Sequence, residues 1–148
     1  MLTPFSCINL IIFGFESLSF SGKSLASDYP KVERLLETSR SVIGQDFDYP
    51  KGQPKITAVL IELSPGQSTG WHKHEVPLFA SILSGELTVD YRGIGRKYFY
   101  ANDTLVEAID TAHLGTNTGD VPTKILAVFI GAEGLSNTIA EDNIIGVN

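Results

Sequence analysis

Beyond Ser27 the chain alternates short apolar runs with turn residues at intervals of roughly ten, and no long 3.6-residue period appears. KITAVLIELS (55–64) is rich in β-branched residues and ends at Pro65-Gly66, which predicts a strand. LFASILSGELTVDY (78–91) holds two strand-like runs broken at Ser84-Gly85, a hairpin pattern. RKYFY (96–100) follows the glycine-spaced turn RGIG, and TLVEAIDTAHLG (104–115) follows in turn. After the turn NTGD comes PTKILAVFIGAE (122–133), the most hydrophobic stretch and an expected buried strand. DYPKGQP (48–54) reads as a connector. KVERLLETSRSVIG, from Lys31, is ambiguous: Val32, Leu35 and Leu36 fit a helical face, whereas SVIG fits a strand. The spacing predicts an all-β sandwich or barrel, with jelly rolls among the usual solutions.

Composition narrows the function classes. A length of 148 residues suits one domain with a sizeable core. The chain is 43% apolar and 19% charged, which excludes a disordered class. Its net charge is −6 and no basic run exceeds two residues, so it lacks the basic face of a nucleic-acid binder. A single cysteine, Cys7, excludes an intrachain disulfide and a cysteine metal cluster. Within residues 1–26, the apolar block Ile8–Phe15 and the small-x-small run Ser24-Leu25-Ala26 resemble a secretory signal peptide. Against this, no Lys or Arg precedes the block and Glu16 closes it early. Two readings stay open: an exported (periplasmic or secreted) protein, or a cytoplasmic one with an N-terminal extension. Either leaves 27–148 as the expected single domain. The block is too short for a membrane span, which needs about 20 apolar residues.

Candidate chemistry lies in WHKHE (71–75). In an extended segment His72 and His74 share one face, and Trp71, Lys73 and Glu75 take the other. Two such imidazoles can hold a divalent ion at about 2.1 Å, but the pair alone does not establish one, and an exposed pair on an edge strand is the simpler explanation. His113, with Asn117 at the turn after it, is the remaining histidine. Glu107 lies on the strand leading to His113; it enters an interior cavity if the 107/109/111 face points inward, and faces water otherwise. Trp71 is expected on an outer sheet face. Tyr91, Tyr98 and Tyr100 are expected in core or interface packing, and Arg92 and Arg96 at an exposed turn. Phe79, Ile82 and Leu83 read as core or cavity wall.

The combination of Gly66, His72-x-His74 and Gly85 with His113 and Asn117 resembles the two sequence motifs of the cupin type-2 superfamily, in particular its small single-domain bacterial members. Two positions depart from the pattern. Leu78 stands where the first motif has Glu, and Ala108-Ile109-Asp110 stands where the second has Pro-x-Gly. The resemblance implies a double-stranded β-helix, the cupin jelly-roll barrel. It further implies one divalent transition metal (Fe, Mn, Ni, Cu or Zn) near the mouth, with His72, His74 and His113 as ligands. Leu78, Phe79 and Ile82 would line the substrate pocket. Glu107 would replace the missing carboxylate or act as a buried general acid/base. The implied activity is that of a dioxygenase-type enzyme acting on a small organic molecule such as an aromatic diol, flavonol, thiol or 1,3-dicarbonyl. The alternative is a cupin that binds a small ligand or metal without turnover. A homodimer is expected, with 31–47 and 139–147 at the interface, and no nucleic-acid partner or membrane span.

Overall fold

The computed structural model describes residues 30–141. The expectations for residues 1–26, and for 142–147 of the proposed interface tail, lie outside the described residues. Nine strands run in chain order: β1 (Pro54–Leu63), β2 (His72–Lys73), β3 (Leu78–Ser84), β4 (Glu86–Tyr91), β5 (Gly95–Tyr100), β6 (Thr104–Val106), β7 (His113–Thr116), β8 (Thr123–Ala132) and β9 (Ile139–Ala140). One sheet has the order β1-β8-β3-β6 and the other β5-β4-β7-β2-β9. The described fold is therefore all-β, with the chain passing repeatedly from one sheet to the other in jelly-roll fashion.

Alternation explains which residues face inward. In β3, Leu78, Ala80 and Ile82 are buried, while Phe79 and Ser81 are half-buried and Leu83 is exposed. In β8, Ile125, Ala127 and Phe129 are buried between partly covered neighbours. β8 pairs with β1 and β3 on its two sides, which accounts for its apolar sequence. The core joins both sheets: Leu63, Ala80, Ile82, Leu105 and Ile125 pack with Leu87, Val89, Tyr91 and Phe99. Of the two alternatives for Tyr98 and Tyr100, core or interface packing, the core is ruled out: both are exposed on β5. Residues at alternate positions there cannot share the inward side with Phe99.

The chain crosses between the sheets at Gly85, between β3 and β4. Its φ is +79°, and a Cβ there would lie 2.8 Å from the Thr123 Cα. Glycine is thus required twice over, by conformation and by space. The ambiguous segment from Lys31 forms neither a helix nor a strand. It ends in a turn in which the Ser41 amide donates to the Gln45 carbonyl, next to an isolated bridge between Arg40 and Asp46. No described helix is long and apolar enough to cross a membrane.

Candidate metal centre

His72 and His113 sit opposite each other on β2 and β7. His74 lies just past β2, where it bridges to Ile109. Ring nitrogens of the three histidines lie within 4.8 Å of one another, and the ring centroids are 4.4 to 5.0 Å apart. Each Nδ1–H donates to a backbone carbonyl: His72 to Gly70 at 2.9 Å, His74 to Asn137 at 2.9 Å and His113 to Thr111 at 2.8 Å. A carbonyl can only accept, so the proton sits on Nδ1 and each Nε2 keeps its lone pair. Three neutral imidazoles so arranged are a donor set for a divalent transition metal.

Burial keeps these imidazoles neutral in the metal-free protein. Desolvation lowers all three pKa values from 6.5, and pushes that of His74 down to about 3. The carbonyl bonds oppose this, because they favour the charged ring. The consequence for stability has a definite sign. Below pH 6.5 the unfolded chain takes up protons that the folded imidazoles refuse, so their contribution is full above that pH and is lost as pH falls. Glu107 works the other way. Burial raises its carboxyl from 4.5, so its contribution is full below that value and is lost as pH rises through the raised one. In the interval below pH 6.5 unfolding therefore takes up protons at the imidazoles, His74 above all, while Glu107 acts in the opposite sense, and metal-stripped protein is expected to lose stability on acidification. Urea titrations across it test this, and a flat profile would contradict the neutral cluster.

Glu107 follows β6 immediately and is 6% exposed. Its Oε1 accepts two hydrogen bonds, from the Tyr91 hydroxyl at 2.6 Å and the Ala108 amide at 2.7 Å. Oε2 has no hydrogen-bond donor among the described residues, yet no buried polar atom is left unsatisfied, so Oε2 faces the open cavity that Glu107 lines. The carboxyl does not join the group of ligand atoms within 4.8 Å. Its field still reaches His72. Tyr91 is fully buried, with its ring 5.7 Å from that of His113. Tyr91→Phe removes one donor from a buried carboxyl and is expected to cost about 1–2 kcal/mol in denaturant titrations.

Gln45 fixes the loop between β6 and β7. Its Nε2 donates to the Ile109 carbonyl and the Thr111 hydroxyl, and its Oε1 accepts from the Ile109 amide. The Asp110 amide donates to the His74 carbonyl, and Asp110 has φ +49°. Asp110 thus takes the left-handed conformation at the position where the motif has glycine, which an aspartate tolerates better than most residues.

The histidines open onto a cavity of about 410 Å³. Leu78 and Ile82 are on its wall, and Leu78 presents no ligand atom where the motif has a carboxylate. Phe79 corrects the sequence reading. It follows Leu78 within β3, so it points through the sheet to a different, outer groove with Leu36, Tyr49 and Ile130. Trp71 is a second correction: it lines the cavity, with the Arg92 guanidinium 4.7 Å from its ring centroid. The lip is the segment leading into β9. Thr138 and Ala140 line the cavity, Asn137 holds His74, and Glu141 pairs with Lys73 at 3.5 Å and Arg92 at 3.7 Å. Sequence reasoning did not reach Tyr91, Gln45 or Asn137 in these roles. Their contacts span 16, 64 and 63 residues, and no local pattern carries them.

Comparison with known proteins agrees with this fold. Oxalate decarboxylase from Lactobacillus farciminis, solved with formate, is 26% identical with a TM-score of 0.51, over 57% of this chain and 26% of that one. Oxalate decarboxylase from Bacillus subtilis is 19% identical with a TM-score of 0.52, over 57% and 23%; Mn(II) centres are described for that enzyme. The DMSP lyase from Ruegeria pomeroyi is 20% identical with a TM-score of 0.50, over 57% and 42%. The chain thus spans about a quarter of the oxalate decarboxylases' length. No curated protein matches the chain. Residues 59–129 match the family described as the cupin domain, and this stretch contains all three histidines, Glu107 and most of the cavity wall. The barrel is a cupin domain of the small type-2 kind.

Proposed function

We propose that this cupin is a metal-dependent enzyme of the dioxygenase type, acting on a small organic molecule. One observation carries the reading: three imidazoles, each oriented by a carbonyl, turn their free nitrogens toward an apolar cavity that also holds an unpaired carboxyl oxygen. A divalent ion (Fe, Mn, Ni, Cu or Zn) bound there supplies Lewis acidity or, where redox-active, electron transfer. His72, His74 and His113 hold it. Glu107 Oε2 accepts or returns a substrate proton, and Tyr91 acts as a positioning residue by fixing Oε1. The apolar wall excludes water. The absence of a carboxylate at Leu78 favours a second reading, a cupin that binds metal or ligand without turnover. The test is metal content of the purified protein, followed by oxygen uptake with catechols, flavonols, thiols and 1,3-dicarbonyls. Uptake that Glu107→Gln abolishes while metal is retained supports the enzyme; full metal with no uptake leaves the binder.

The reading includes a homodimer. The outer edge of β1 pairs with no described strand, and Ile56 and Leu60 on it are 62% and 61% exposed. Light scattering is expected to give twice the chain mass, reduced toward one chain by Leu60→Lys.

A further inference from the structure

The cavity is divided by polarity. Its polar lining gathers at the histidines: the Thr69 and Thr138 hydroxyls each lie 3.4 Å from a histidine Nδ1, and Glu107 interacts with His72. Away from them the wall is hydrocarbon. Ala80 pairs with Ala127 and Ile82 with Ile125 across β3 and β8, and Leu87 and Val89 on β4 complete it. The paired alanines leave room where larger residues would fill the barrel. No lysine or arginine among the described residues lines the cavity. The volume of about 410 Å³ lies within the range of small-molecule sites, roughly 300–1,000 Å³.

Two physical terms then act on a ligand. A divalent ion on three neutral imidazoles keeps its full charge, so it favours a ligand end that becomes anionic there. The opposite end of the ligand meets only hydrocarbon, where a charge has no partner and bears its desolvation cost uncompensated. We infer that the cavity selects a ligand with one polar, metal-facing end on an apolar body about the size of a substituted six-membered ring, and rejects one that carries a charge at its far end. This rests on the metal-site reading above and narrows its substrate class. It separates the chain from the oxalate decarboxylases it resembles in fold, because oxalate has no apolar body.

Three hydroxamates with the same metal-binding head test the inference on zinc-loaded protein by calorimetry, with binding to free zinc as reference. Benzohydroxamate is expected to bind more than tenfold tighter than acetohydroxamate. 4-Carboxybenzohydroxamate is expected to bind more than tenfold weaker than benzohydroxamate. Ala127→Leu, which adds bulk to the wall, should weaken benzohydroxamate at least tenfold and leave acetohydroxamate unchanged. Equal affinities for benzohydroxamate and acetohydroxamate, or undiminished binding of the carboxylated probe, overturn the inference while leaving the metal site intact. Zinc uptake that His113→Ala does not change overturns the metal-site reading, and the inference with it.

Discussion

His113→Ala is expected to give a folded protein that no longer retains its metal ion. His113 supplies one of three ring nitrogens within 4.8 Å of each other, and Leu78 offers no substitute on the cavity wall. Loss of a group that merely orients a ligand costs 10–100-fold in metal affinity. Loss of a ligand from a set of three should exceed about a hundredfold. Zinc or manganese titration monitored by equilibrium dialysis measures this, with elemental analysis of the purified variant. Lys73→Ala is the internal control. Lys73 lies between His72 and His74 in sequence, but its ammonium is committed to Asp110 and Glu141, at 3.9 and 3.5 Å. It should retain the ion. Near-stoichiometric metal in His113→Ala would show that the three rings are only a packed cluster, since three imidazoles in edge and tilted contact, two buried and one half-buried, can also satisfy one another by packing.

Gly85→Ala carries the largest expected stability loss. A left-handed alanine costs about 1–2 kcal/mol. The added methyl would also meet the Thr123 Cα and Oγ1 at 2.8 Å and the Pro122 carbonyl oxygen at 2.9 Å. Backbone atoms on a central strand cannot yield as a flexible side chain can. Thr123 is fully buried, and its hydroxyl donates to the Glu86 carbonyl at 2.6 Å, so a shift there also strains the β3–β4 corner. Overpacking of this kind adds about 1–3 kcal/mol. The total, roughly 2–5 kcal/mol, should lower Tm by on the order of 4–20 °C. Gly93→Ala separates the two causes. Gly93 has φ +77° with nothing within 4 Å of an added Cβ, so it should show the conformational cost alone. If the two variants melt together, the clash at Thr123 is not real.

The parts of this fold that follow period-two patterning are those the sequence displays. Pro65-Gly66 and Ser84-Gly85 end strands because their backbones turn there, and the run before Gly85 alternates in burial as a half-buried strand must, whereas in the run after it Thr88 is buried along with Leu87 and Val89. The three histidines were legible because two share one side of an extended segment and the third follows a motif spacing. What escaped notice depends on contacts without local pattern. Tyr91 ends β4 and Glu107 follows β6, and only the sheet-to-sheet closure brings their side chains to 2.6 Å. Phe79 was misplaced by reading hydrophobicity alone, although two consecutive strand residues cannot face the same cavity. Trp71 was misplaced because β2 is only two residues long, so alternation does not extend back to it.

The lip at β9 has a kinetic consequence. The Asn137 carbonyl that keeps His74 in its tautomer and Thr138 and Ala140 at the cavity rim belong to one short stretch of chain. Any opening that admits a ligand past this rim also slackens the grip on one imidazole. Guest and ion are thereby expected to share a clock: with a metal loaded, a molecule that holds the rim shut should prolong the residence of the ion beneath it.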